Sequence, residues 1–240
     1  MIKRLLIFLT ATLTFWPGNS MGSSLGELDK RILDCDLVLK NALSMPDRGI
    51  PTELLQRCRG LAIFPGVMKL GIIVGIDYGS GVILHRDEKN SEWSKPAFFK
   101  IRTGSLGLQV GAQSTDLILL IMNEQSFRSL LEDKFAVGAN LSVAAGPVGR
   151  DASAETNMAF SSGILSYSRS QGIFVGLSLK GAALEPDSEA NTIYHGKDVS
   201  VQDVYYEGQG SLSDDGRTLL ETLNAATQGS ATGANAGTSE

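Results

Sequence analysis

The chain has 240 residues, of which 42% are hydrophobic and 20% charged, with a formal net charge of −5. That profile suits one large globular domain or two small ones, and it excludes a disordered polyelectrolyte. The acidic balance also excludes nucleic acid as a partner of the whole chain.

Residues 1–22 read as an export signal. Lys3 and Arg4 give a positive start, Leu5 to Trp16 form a short apolar run, and Pro17-Gly18-Asn19-Ser20 breaks it. The run falls short of the roughly 20 residues that a bilayer span requires. The chain is therefore expected in the periplasm or secreted, peripheral to a membrane, with no lipoprotein cysteine at the boundary. Residues 23–226 are expected to form one domain, and the small, polar stretch 227–240 a disordered tail.

From Leu25 to Met45 the spacing predicts a helix, with Leu28, Ile32, Cys35, Leu39 and Ala42 on one stripe. Pro46 and Gly49 end it. Pro51 to Arg57 reads as a second, short helix with Glu53 near its positive end. After Gly60 the pattern changes to short apolar runs over 61–65, 70–77, 81–86, 97–102, 106–111 and 116–123, read as strands. Asp77-Tyr78-Gly79-Ser80-Gly81, Asp87 to Ser94 and Ser114-Thr115-Asp116 are read as the turns between them. A helix carrying Phe127, Leu130 and Leu131 follows. Strands are then expected over 135–144, 164–168, 172–181 and 199–206, with a loop over 146–157. A last helix over 213–226 turns Leu219, Leu220 and Leu223 inward. The expected class is α+β: a mainly antiparallel β core with flanking N- and C-terminal helices.

Glycine punctuates the apolar runs. Gly71-Ile72-Ile73-Val74-Gly75 returns in altered form as Gly107-Leu108-Gln109-Val110-Gly111 and Gly172-Ile173-Phe174-Val175-Gly176. In a strand, residues four apart share a face, so each pair clears a strip along which another backbone, side chain or ligand can approach.

No catalytic constellation assembles. His85 and His195 read as solvated residues at loop edges. Cys35, Cys58, His85 and His195 lack the short ligand pairs of a zinc site. Gly79-Ser80-Gly81 and Gly104-Ser105-Leu106-Gly107 resemble phosphate loops, but no Gly-Lys-Ser/Thr opens a helix, so both read as hairpin turns. No Gly-x-Ser-x-Gly elbow is present. The chain reads as a non-enzyme without cofactor. In an exported chain Cys35 and Cys58 can form a disulfide, stabilising by roughly 3 kcal/mol; the other reading is two buried thiols on packed helices.

Charge is unevenly spread. Residues 48–102 hold nine basic and five acidic side chains, a surplus of +4, whereas residues 103–240 hold seven and sixteen, a deficit of −9. Trp93 and Phe98 lie among Lys95, Lys100 and Arg102, and aromatic rings settle at the level of lipid headgroups. Arg57, Arg59, Lys69, Lys95, Lys100 and Arg102 are the candidate headgroup contacts, and Trp93 and Phe98 the candidate anchors. The other reading makes these aromatics core and these lysines solvated.

Several longer stretches then carry a resemblance. They are Gly49-Ile50-Pro51 with Leu54-Leu55, Gly60-Leu61-Ala62-Ile63-Phe64-Pro65-Gly66-Val67, Lys69-Leu70-Gly71, Tyr78-Gly79-Ser80-Gly81 and Trp93-Ser94-Lys95-Pro96-Ala97-Phe98. Gln113-Ser114-Thr115-Asp116, Met122-Asn123, Ala144-Ala145-Gly146-Pro147-Val148-Gly149-Arg150 and Tyr167-Ser168-Arg169-Ser170 follow. In content and order this resembles the SYLF domain family, from about Leu25 to Glu207. The resemblance implies a non-catalytic lipid-binding module. Eukaryotic relatives bind phosphoinositides and in some cases actin, beside SH3 or FYVE domains, and bacterial relatives are exported. An anionic phospholipid or membrane surface is thus the expected partner; actin is not expected in an exported compartment, and no protein partner is specified. In eukaryotic relatives a basic amphipathic helix ahead of the core aids membrane contact. Here that helix sets Asp29, Asp34 and Asp36 against Lys30, Arg31 and Lys40, which argues against strong headgroup attraction through it. The alternative function is a cell-envelope scaffold or protein-interaction module without direct lipid binding.

Overall fold

The computed structural model describes residues 23–45, 49–71, 74–106, 113–131, 135–137, 143–147, 162–170, 173–176 and 182–228. The expected leader, the loop over 148–157, the strand over 107–111 and the tail beyond Gln228 lie outside these residues.

Helix α1 (Leu25–Leu43) opens on a capping box in which Ser24 and Glu27 satisfy each other's backbone N–H groups. Its predicted stripe is buried throughout, from Leu28 to Ala42. Helix α2 (Thr52–Arg57) follows Pro51. The strands are β1 (Gly60–Gly71), β2 (Val74–His85), β3 (Ala97–Leu106) and β4 (Gln113–Ile121). Helix α3 (Glu124–Leu130), capped by Asn123, leads to β5 (Phe135–Val137), β6 (Val143–Ala145), β7 (Ile164–Ser170), β8 (Ile173–Gly176) and β9 (Ala182–Pro186). Helices α4 (Ser188–His195), α5 (Val201–Tyr206) and α6 (Asp214–Gln228) complete the described chain.

The strands form one sheet in the order β5-β9-β3-β2-β1-β4-β7-β6, with β8 also on β7. Among the described pairings all are antiparallel except β6 with β7. The class is α+β. Alternation splits the core into two layers. Leu61, Ile63, Val82, Leu84, Phe98, Ile118 and Leu120 lie under α1, α2, α4 and α6. Phe64, Ile83, Phe99, Ile101, Leu117 and Leu119 face the other way, against Phe127 of α3 and Val204 and Tyr205 of α5.

Several expectations are corrected. The stretch Tyr78–Gly81 is strand, and so are Gly104, Ser105 and Ser114–Asp116. The glycines there mark close approach. A Cβ on Gly81 would run into the Ile63 carbonyl oxygen and come within 2.7 Å of Phe64 Cδ1, and one on Gly79 would lie 2.8 Å from Val67 Cγ2. These contacts fall where β1 is bulged, between Ile63 and Met68. The reversal lies further back: Gly71 pairs with Gly75, inside the block read as one strand. Residues 201–206, read as strand, are helix, because Ser200 and Asp203 form a second capping box. Thr227, assigned to the tail, is buried in α6.

Cys35 and Cys58 are free, buried thiols, the second of the two readings that the sequence left open. Cys35 Sγ donates to the Ile63 carbonyl at 3.5 Å and Cys58 Sγ to the Leu55 carbonyl at 3.2 Å. Cys58 caps α2 rather than sitting on it. Burial pushes both thiols up, Cys58 to about 12.

Candidate functional site

Strand parity places Phe98, Lys100 and Arg102 on one face of β3, but helix cover ends between them. Phe98 is fully buried beneath α4, its ring edge-on to Tyr194 at 5.1 Å and its backbone bracketed by the Asn191 amide. Trp93 is also buried, with the Arg86 guanidinium 5.7 Å from its ring. Neither ring is an interfacial anchor.

The candidate cations divide by position. Arg59 pairs with Glu88 at 3.2 Å, and Arg57 is exposed in the last turn of α2. Lys95 donates to the Gly208 and Gly210 carbonyls at 2.9 and 2.6 Å, tying the segment before α6 to the sheet. Lys69 lies in β1, in register with Asp77 and Gln113. Lys100 and Arg102, two residues apart on β3, share one face of the sheet. Lys100 lies 2.9 Å from Asp187 and Arg102 lies 3.6 Å from Glu185.

That surface has members which charge counting along the sequence missed. Arg31 of α1 reaches the same Asp187 carboxylate at 3.4 Å, so one acid serves two cations. Met68, Tyr78 and Arg102 are successive cross-strand neighbours. Met68 is 47% and Tyr78 41% exposed. Between this row and α1 runs a groove of about 320 Å³, walled by Glu27, Lys30, Arg31 and Asp34 and floored by residues including Tyr78 and Ser80. Beside the groove, Leu33 and Leu37 of α1 project outward at 47% and 58% exposure, one turn apart. Lys30, paired with Asp34 at 2.7 Å, and Lys40, paired with Asp36 at 2.7 Å, lie toward the two ends of this stripe. A second sequence pattern was there to find them: apolar residues at i and i+4, off the buried stripe.

The two histidines are buried, not solvated. His85 Nε2 meets Glu124 Oε2 at 2.9 Å beneath Phe127, and His195 Nε2 meets the Pro96 carbonyl at 2.9 Å. Glu124 also accepts from Arg128 and Tyr206, each at 3.0 Å. Burial alone pushes its carboxyl up, but the bonds from His85 and Arg128 outweigh this and hold it below the usual range. Burial holds the His195 imidazole below its ordinary value. A cavity of about 420 Å³ adjoins this cluster, lined by Arg128, Leu131, Gln202 and Tyr206. Among the described residues no three His, Cys, Asp or Glu side chains gather as a metal site, and no helix is long and apolar enough to cross a membrane.

A family model, Ysc84, described as Las17-binding protein actin regulator, matches residues 102–226. SH3 domain-containing YSC84-like protein 1 of Bos taurus is 29% identical over 184 residues, which is 76% of this chain and 53% of the relative. Protein YSC84 of Saccharomyces cerevisiae is 36% identical over 162 residues, covering 66% of this chain and 34% of the relative. LAS seventeen-binding protein 3 of the same species is 32% identical over 168 residues, covering 69% and 36%. The chain thus spans about half the length, or less, of these curated relatives.

Proposed function

The chain belongs to the Ysc84 (SYLF) family, and from that premise we propose that it is a non-catalytic, exported binding domain that docks on phospholipid surfaces containing anionic headgroups. The observation that carries the reading is the Leu33–Leu37 pair, two large apolar side chains held in solvent on an outward helix face with lysines toward both ends. Burying a leucine contributes about 1.5–3 kcal/mol, and a cation near an anionic surface about 1 kcal/mol. Together these suit reversible, peripheral docking.

Pairing of the cations is compatible with this role. The Lys30 side chain is 71% and that of Arg102 55% exposed, and exposed ion pairs are worth little, so exchanging a carboxylate for a lipid phosphate costs little. The headgroup contacts are then Lys30 and Arg102, without Trp93 or Phe98, while Arg31 and Lys100 stay on the buried Asp187 carboxylate. The family's description speaks of Las17 binding and actin regulation. A chain exported by its 1–22 leader meets neither, and lipid contact is the part of the family's behaviour proposed to remain.

Vesicle co-sedimentation tests the reading. The protein should pellet with vesicles holding anionic lipid and much less with neutral ones. Equal recovery from both, or from neither, contradicts it; recovery from neither, with a protein partner captured by crosslinking, favours a scaffold.

A further inference from the structure

We infer that the cavity between α3 and α5, on the face of the sheet away from α1, is a second binding site. Its ligand is a singly charged oxyanion carried on an apolar body, the chemistry shared by a small carboxylic acid and a phosphodiester. The site is independent of the docking proposed above, since its described lining holds no residue of α1.

Two helices with separate anchors shape the cavity. Asn123 caps α3, and Tyr205 of α5 is buried with its hydroxyl donating to the Ile83 carbonyl at 3.0 Å. Between them lie about 420 Å³, lined among the described residues by Arg128 and Leu131 from the end of α3 and by Gln202 and Tyr206 of α5. That volume is within the range of small-ligand pockets.

Arg128 is held in place and still has donors to give. Its Nε donates to Glu124 Oε1 at 3.0 Å, and its Cζ lies 5.7 Å from the centre of the Tyr206 ring. These contacts orient the guanidinium while spending only Nε. Nη1 and Nη2 have no partner among the described residues. They form the forked edge that grips two oxygens of one anion.

The neighbouring acid does not take that edge. Glu124 already accepts from His85, Arg128 and Tyr206, at 2.9, 3.0 and 3.0 Å. Burial and the Glu124 charge push the Tyr206 phenol up to about 12, so it adds no negative charge to the wall. The described lining thus carries one cation and no acid. Glu124 lies close behind it, and its charge penalises a dianion more than a monoanion. Leu131, partly buried against the core, and the Tyr206 ring, 42% exposed, supply an apolar wall beside the fork. The Gln202 amide has no partner among the described residues and can donate to the same anion.

Four probes sharing a phenyl body test the site on the full chain, by amide-resolved NMR at about pH 8. Benzoate and methyl phenyl phosphate are singly charged there, phenyl phosphate is doubly charged, and benzamide is neutral. At least one singly charged probe should shift the signals of 128–131 and 201–206. The tighter of the two identifies the ligand as a carboxylic acid or a phosphodiester. Phenyl phosphate should bind more weakly than that probe, and benzamide should leave the signals in place. Arg128→Gln should weaken the probe roughly tenfold or more, the loss of a charge-assisted fork. Arg128→Lys keeps the charge without the fork and should also weaken it. The Arg128 side chain is 70% exposed, so both variants are expected to fold, and their amide spectra check this. Should the glutamine variant misfold, the lysine variant decides. Arg217→Gln, on the α1 side of the sheet, should change nothing. No shift from either singly charged probe, equal shifts from benzamide, tighter binding of phenyl phosphate, or affinity that survives both Arg128 variants overturns the inference. None of these results bears on vesicle binding, and a failure to bind vesicles leaves this site standing.

Discussion

Thr222 of α6 donates its hydroxyl to Asp36 of α1 at 2.6 Å, joining the first and last helices across 186 positions of sequence. Asp36 is almost fully buried, and its second oxygen meets Lys40 at 2.7 Å. A buried carboxylate that loses a hydrogen-bond donor retains its desolvation cost without the compensation. Thr222→Val is therefore expected to lower stability by about 1–3 kcal/mol, and Thr222→Ser to lower it far less. Urea unfolding of both variants checks this; a larger loss for Thr222→Ser than for Thr222→Val would show that packing of the methyl group, not the bond, matters.

Two glycines predict opposite outcomes. Gly81 faces the Ile63 carbonyl and the Phe64 ring with no room for a Cβ, so Gly81→Ala should cost about 3 kcal/mol or more, or prevent folding. Gly26 lies in the first turn of α1, with nothing within 4 Å of where its Cβ would lie. Gly26→Ala should raise stability by about 0.5–1 kcal/mol. Thermal melts of the pair decide it.

The thiols should be inert in the native state. Both are buried, and thiolate formation at Cys58 is pushed up to about 12. Ellman's reagent should find no reactive thiol in native protein and two in guanidinium chloride. A reductant should leave the melting temperature unchanged, and a drop on reduction would reveal a bridge.

His195 makes stability fall in mild acid. Burial lowers its folded-state value below the unfolded one, so between those values the unfolded chain binds more protons. This contribution is present above about pH 6.5, the ordinary histidine value, and is lost as pH falls from there through the folded value. Lys95 adds a smaller push in the same direction, and the Pro96 carbonyl opposes it. His195→Gln should flatten the stability profile between pH 7 and pH 5, most visibly in hydrogen exchange around 207–213, since Gly210 packs against this ring.

Much of the architecture is legible in the residues. Stripes such as Leu28–Ile32–Cys35–Leu39 specify α1, and the Leu219–Leu223 spacing specifies α6, because one apolar face per helix is what burial demands. Turns are harder, since glycine serves both reversal and close packing; at Gly79 and Gly81 the second use holds, and only the bulged partner strand shows it. At Ser200 and Asp203 a local cap overrides the strand-like run Val-Gln-Asp-Val-Tyr-Tyr. The candidate site is less legible. Phe98, Lys100 and Arg102 alternate correctly onto one face, but where α4 stops covering that face is a tertiary fact. His85 and His195 look like loop-edge residues until the helices that bury them are in place.

The proposed docking face is tested most directly by a fluorescent depth probe. The native thiols are buried, so Leu37→Cys and, on the opposite side of the sheet, Gln125→Cys can each be labelled singly with an environment-sensitive dye. On anionic vesicles the label at 37 should shift to the blue as it enters the headgroup–acyl boundary, while the label at 125 should retain its emission in water. Emission at 37 unchanged on protein that pellets with the vesicles, or a shift at 125 instead, would contradict docking through α1.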